Sequence, residues 1–167
     1  MNLYPFVSIT PNWPKLGVEF KDISPLLADP DAFAFAVDAM YPPNVQNVDY
    51  WVGIESRGFL FAAALAQRFH HGLLMIRKKG KLPPPTVDLD YALEYGTDTI
   101  QMRKGEGRVV IVDDVLATGG TLKAAHDLCV RAGYDVVGYS CLVNLTFLHQ
   151  QRPFCINSIP VHTVIDY

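Results

Sequence analysis

Apolar and polar positions switch between two periods along this chain. Val109-Val110-Ile111-Val112 is an unbroken β-branched run that predicts a strand at 109–112 covered on both faces. Asp113-Asp114 follows, and two adjacent carboxylates are not expected to stay buried, so they mark the strand's end. Leu122, Ala125, Leu128, Cys129 and Ala132 then recur at helical spacing, predicting a helix over 121–132 that Thr118 or Thr121 caps and Gly133 ends. Upstream, Asp29-Pro30 opens a helix with Phe33, Val37 and Met40 on its apolar face, and Pro42-Pro43 stops it. Strands are predicted at 50–54, 73–76 and 136–143 and a strongly apolar helix at 59–69. Residues 91–102 read as extended structure projecting from the sheet; residues 3–22, rich in proline and aromatic side chains and without a sustained period, read as an ordered arm. This succession of strand, loop and helix predicts an α/β fold, a doubly wound, mostly parallel sheet flanked by helices.

Length and composition narrow the function. At 167 residues and 50 % apolar content the chain reads as one domain, 1–167. Its longest apolar runs fall far short of the roughly 20 residues that span a bilayer. The N-terminus lacks a basic region followed by an apolar stretch, so a cytoplasmic protein without membrane association is expected. A net charge of −3 argues against a nucleic-acid partner. The three cysteines, Cys129, Cys141 and Cys155, lack C-x-x-C spacing and sit in apolar contexts, which predicts buried reduced thiols. His70 and His71 point apart on a helix, and His126, His149 and His162 show no ligand spacing, so no side chain is assigned to a metal.

Parallel strands share a direction, which brings three polar loops to one sheet edge. They are Glu55-Ser56-Arg57-Gly58, the cationic run Arg77-Lys78-Lys79-Gly80-Lys81, and 113–121. Thr118-Gly119-Gly120-Thr121 opens a helix, and the unpaired amides there suit a phosphate, with the two carboxylates facing sugar hydroxyls. Neither G-x-x-x-x-G-K-[ST] nor G-x-G-x-x-G occurs, and Gly105 and Gly107 read as a turn. Arg57 and Lys81 are expected to face one anion away from that phosphate. Two separated anion sites with carboxylates between them describe a sugar phosphorylated at both ends.

On these residues the chain resembles a known family. Residues 109–121 are similar to the phosphoribosyl-pyrophosphate signature of the type I phosphoribosyltransferases. Residues 17–27, 55–61, 76–83 and 93–96 resemble the adenine phosphoribosyltransferases in particular, and the likeness runs from about Pro14 to Val143. The resemblance implies that fold with an N-terminal hood at 1–28 and a flexible catalytic loop at 82–104. It implies transfer of a 5-phosphoribosyl group from its pyrophosphate donor to N9 of adenine, giving AMP and pyrophosphate, with Mg²⁺ bound alongside the donor and a homodimer as the assembly. Asp113 and Asp114 would then hold the ribose hydroxyls, and Ala117, Thr118, Gly119, Gly120 and Thr121 the 5′-phosphate. Ser56, Arg57, Arg77 and Lys81 would hold the pyrophosphate. Glu94, by itself a surface acid in a hairpin, would take the N9 proton, and Tyr95 would help close the loop. Phe20, by itself a core residue, would stack on the purine while backbone groups of Glu19 and Lys21 read its edge. Leu16, Glu19 and Lys21 depart from the family pattern, which keeps another purine or a modified adenine open as acceptor. A non-catalytic donor-binding sensor is the reading from a different class, and it calls for a basic face that this composition lacks.

Overall fold

The computed structural model describes residues 1–93, 96–149 and 151–167, and the backbone gathers into two compact units, Met1–Ala39 and Met40–Tyr167. In the first, a 3₁₀ turn at Tyr4–Phe6 leads into an antiparallel hairpin of β1 (Ser8–Pro11) and β2 (Glu19–Asp22), followed by α1 (Ser24–Ala28) and α2 (Pro30–Ala39). The expected arm is thus a hairpin, hidden in the sequence because prolines interrupt its alternation. The Trp13 and Phe20 rings meet edge to face at 4.5 Å at its loop end. Asp29 caps α2 as predicted: its Oδ1 accepts the amides of Asp31 at 3.1 Å and Ala32 at 2.9 Å. Ala32, Ala36 and Val37 form the buried face of that helix, and Phe33 is half-buried beside them.

The second unit is one eight-stranded sheet. In chain order it contains β3 (Tyr50–Ile54), α3 (Gly58–Phe69), β4 (Gly72–Lys78), β5 (Val87–Leu93), β6 (Gly96–Met102), β7 (Arg108–Leu116), α4 (Gly120–Ala132), β8 (Asp135–Asn144), β9 (Cys155–Ile156) and β10 (Ile159–Asp166). The spatial order is β5-β6-β4-β3-β7-β8-β10-β9. Strands β4, β3, β7, β8 and β10 run parallel, while β5, β6 and β9 join antiparallel. Within the parallel set the connection order reverses between β3 and β7, and this reversal opens a crevice at the strands' carboxyl ends in doubly wound sheets.

Burial explains the elements. Val109, Val110, Ile111 and Val112 are all fully buried, as a strand covered on both faces requires. The predicted helical face of α4, Leu122, Ala125, Leu128, Cys129 and Ala132, is buried in full, and Gly133 ends the helix at φ +105°. Three details differ. Neither Thr118 nor Thr121 caps α4; Gly119, at φ +82°, occupies the cap position without a side-chain bond. Strand β7 continues through both carboxylates to Leu116, and Asp114 is only 5 % exposed, because a guanidinium lies against it. Helix α3 stops at Phe69, with His70 as its left-handed terminator, so the adjacent histidines do not share a helix; His71 Nδ1 accepts the Trp51 indole N–H at 3.1 Å. Residues 91–93 and 96–102 belong to the strands β5 and β6, annealed to the end of β4 through Arg77↔Gln101 and Lys78↔Ile100. Cys129 and Cys141 are buried free thiols, and Cys155 is only partly covered. Among the described residues no helix is long and apolar enough to cross a membrane.

Candidate active site

The three polar loops do meet at the carboxyl edge of the sheet. The close fit begins with Gly58, the first residue of α3: a β-carbon there would lie 2.6 Å from the Val112 carbonyl oxygen. Only glycine lets the 55–58 loop lie directly on the end of β7. Arg57 is thereby carried to Asp114, Nε to Oδ2 at 2.9 Å. Asp113 Oδ1 accepts the amide of Asp114 at 2.9 Å. Burial pushes the carboxyls of both aspartates up; the charge of Asp114 adds to this at Asp113, while Arg57 pulls both the other way.

On the other side stands Glu55, the first residue of the Glu55-Ser56-Arg57-Gly58 motif, for which the sequence implies no role. Its Oε1 accepts the Lys81 ammonium at 2.7 Å, and its Oε2 accepts the Lys78 amide at 2.9 Å and lies 3.4 Å from Arg77 Nε. Burial would raise this carboxyl, but Lys81, the Lys78 amide and Arg77 together outweigh burial and hold it below the usual carboxylate value. Arg77 also donates to the Lys81 carbonyl at 3.3 Å and lies over the Phe59 ring at 5.9 Å.

These groups surround a cavity of about 570 Å³, with Glu55, Ser56, Arg57, Lys78 and Lys81 on one wall and Asp113, Asp114, Val115, Ala117 and Thr121 on the other. Tyr91 of β5 also lines it. Ala117 and Thr121 also line an adjoining recess of about 50 Å³, whose remaining walls include Thr118, Gly119 and Gly120. The recess sits at the N-terminus of the thirteen-residue helix α4, where amides and dipole favour an anion. Arg57 and Lys81 therefore do share one cavity with both aspartates and Thr121, whereas Thr118, Gly119 and Gly120 line only the recess; Arg77 is not part of the cavity lining and is held to Glu55 and the Lys81 carbonyl. Lys78 and Tyr91 were missed, although the strand period offered a signal: Val87 and Leu89 are buried on the face that Tyr91 shares.

Glu19, Phe20 and Lys21 belong to β2 in the Met1–Ala39 unit. The two departures from the family pattern there pair with each other, Lys21 Nζ to Glu19 Oε2 at 3.0 Å, and Lys21 is buried. Glu94 and Tyr95 lie outside the described residues. Also among the described residues, no cluster of three or more His, Cys, Asp or Glu side chains could hold a metal ion.

Known proteins resemble this chain in both sequence and backbone. The phosphoribosyl transferase domain family matches residues 40–152. The adenine phosphoribosyltransferase of Bdellovibrio bacteriovorus is 52 % identical, over 100 % of both chains. Among solved structures, adenine phosphoribosyltransferase from Rhodothermus marinus superposes with a TM-score of 0.88 at 44 % identity, covering 99 % of this chain and 96 % of that one. The Saccharomyces cerevisiae adenine phosphoribosyltransferase, complexed with an imino-altritol bisphosphate and adenine, gives 0.86 at 34 % identity and covers 97 % of this chain and 96 % of its own. Full-length likeness in sequence and backbone, joined to the loops described above, places the chain in the adenine phosphoribosyltransferase family, within the phosphoribosyl transferase domain family.

Proposed function

We propose that this chain transfers the 5-phosphoribosyl group of 5-phosphoribosyl 1-pyrophosphate to N9 of adenine, releasing AMP and pyrophosphate, as a step of purine salvage. The observation that carries the reading is the cavity in which Arg57 and Lys81 face Asp113 and Asp114, continuous with a recess at the start of α4. The 5′-phosphate sits in that recess on the amides of Ala117, Thr118, Gly119, Gly120 and Thr121. Asp113 and Asp114 take the ribose hydroxyls, and their charge favours the positive character that C1′ acquires as its bond to pyrophosphate breaks. Ser56, Arg57 and Lys81 receive the leaving pyrophosphate, and Arg77 supports it from behind Lys81. Phe20 stacks on the base within a hood formed by residues 1–28, with the backbone of Glu19 and Lys21 at the base's edge. Glu94, in the segment 82–104 that Tyr95 helps to close over the site, accepts the N9 proton.

The donor set fits a magnesium ion brought in with the substrate. Hard oxygen ligands are present at Asp113 and Asp114, but among the described residues no protein cage is, and such ions are commonly held through substrate phosphates and water. When bound, the ion supplies charge neutralisation to the pyrophosphate. Leu73 and Met75, exposed on one face of β4, and Leu60, exposed on α3, offer apolar surface for a homodimer, and the reaction belongs in the cytoplasm.

The test is an acceptor panel of adenine, hypoxanthine, guanine and xanthine with the phosphoribosyl donor, read as nucleotide formed and pyrophosphate released. Adenine turnover is expected. Turnover of an oxopurine with adenine ignored would move the reading to another acceptor, and donor binding without pyrophosphate release would replace it with a sensor.

A further inference from the structure

We propose that Glu55 is a built-in competitor of pyrophosphate, sharing Lys81 with the ligand and so setting how tightly pyrophosphate is held and how fast it leaves. The inference rests on the pyrophosphate site proposed above. Glu55 lines the same cavity as Lys81, Arg57, Asp113 and Asp114, but it is an anion on the wall that receives an anion. Its side chain is 10 % exposed, whereas that of Lys81 is 51 % exposed. The two ends of this ion pair are thus unequal. The carboxylate is anchored by a donor that cannot follow a ligand, the backbone amide of Lys78 at 2.9 Å, and by Arg77 Nε at 3.4 Å. The Lys81 ammonium, 2.7 Å from Oε1, sits at the end of a flexible four-carbon stem just past the turn at Gly80.

An arriving diphosphate must draw the ammonium from Glu55 or share it, and either way it meets the negative charge that stays behind. Part of the attraction between Lys81 and the ligand is therefore cancelled in advance. The same charge recovers Lys81 when the product departs, which matters where product release limits turnover. A charge kept at some cost to ligand affinity fits a site that must release a multiply charged product.

Glu55→Gln keeps the shape and an oxygen for the Lys78 amide but removes the charge. Calorimetric titration with pyrophosphate in the presence of Mg²⁺ is expected to show binding about fivefold tighter than in the unaltered protein, the scale of a partly exposed ion pair. Glu55→Asp, which retains the charge, is expected to show no such gain. Damage to the fold cannot produce tighter binding, so the gain is diagnostic. Equal or weaker pyrophosphate binding by folded Glu55→Gln overturns the inference and makes Glu55 an organiser of the cationic loop instead. If Glu55→Gln does not fold, the Glu55 side-chain carboxyl carbon can be titrated by NMR in the unaltered protein. Its pKa should rise when pyrophosphate is added, and an unchanged pKa overturns the inference. Unaltered protein that neither binds pyrophosphate nor forms AMP would instead overturn the proposed function.

Discussion

The turn at 118–121 should tolerate no side chain at Gly119, and the structure says which neighbour forbids it. A β-carbon at this position would overlap Phe154 Cζ and lie 2.6 Å from its Cε1, and the backbone sits at φ +82°. Gly119→Ala therefore carries two costs, about 1 kcal/mol for an L-residue in the left-handed region and about 1–3 kcal/mol for overpacking. The Phe154 ring has little room to yield: it is 5 % exposed, with His149 edge-on at 4.8 Å and Lys123 Nζ 5.7 Å above it. The sum is about 2–4 kcal/mol, measured by urea unfolding. A double-mutant cycle separates the costs. In a Phe154→Leu background the overlap is relieved while the backbone cost remains, so the penalty of Gly119→Ala should shrink to about 1 kcal/mol. Whatever strain the fold does not lose in stability it must relieve by moving the turn, so KM for the donor should rise more than kcat falls in the single variant. A Gly119→Ala penalty that is the same in both backgrounds, or a variant with unaltered stability and donor KM, would refute Phe154 as the obstacle.

Other outcomes follow from the proposed roles. Glu94→Ala should lower kcat by about 10²- to 10⁴-fold, the usual worth of a general base, with donor affinity nearly unchanged by isothermal titration; an unchanged kcat removes Glu94 from the mechanism. Asp113→Asn with Asp114→Asn should mainly weaken donor binding, and ordinary kinetics in that double variant would contradict the ribose assignment. The two aspartates also make donor binding sensitive to acid. Burial holds both carboxyls above their ordinary value of 3.8, so the pair takes up protons while exposed carboxylates remain charged, and donor affinity should fall as pH drops toward and through that raised range. The stability contribution has the opposite sign: this pair favours the folded state at low pH and loses that contribution as pH rises through the folded-state values. Donor affinity independent of pH in the acid range, measured where the fold is intact, would count against the paired carboxylates.

The fold was legible wherever one period dominated a segment. Four β-branched residues at 109–112 admit little but a doubly covered strand, and the 3.6-residue recurrence in α4 picks out five of its six buried residues, Ala124 being the sixth. What escaped had either too little length or a broken period. Strand β9 has two residues, β1 and β2 have four each with Pro11 closing β1, and β10, which starts at Ile159-Pro160, carries no clean alternation at its head. The extent of β7 escaped for a different reason. Adjacent aspartates look like a strand end because an unpaired carboxylate resists burial, and the sequence does not display that Arg57, 57 residues before Asp114, will lie against it.

At the site, residue types were legible in the sequence and their pairing was not. Each loop declared its chemistry by residue type: cations at 77–81, carboxylates at 113–114, a glycine turn at 118–121. Which charges neutralise which depends on the order of strands in space, and here β3 lies between β4 and β7. The three-residue loop after β3 consequently faces both ways. Its first residue, Glu55, answers the cations after β4, and its third, Arg57, answers the carboxylate in β7. Had β3 stood at the sheet's edge, one of these two residues would have had no partner, and a buried carboxylate at 55 or at 114 would have been costly. The strand reversal that creates the crevice is therefore also what permits charges of both signs to line it, and a donor with anionic groups and ribose hydroxyls requires both.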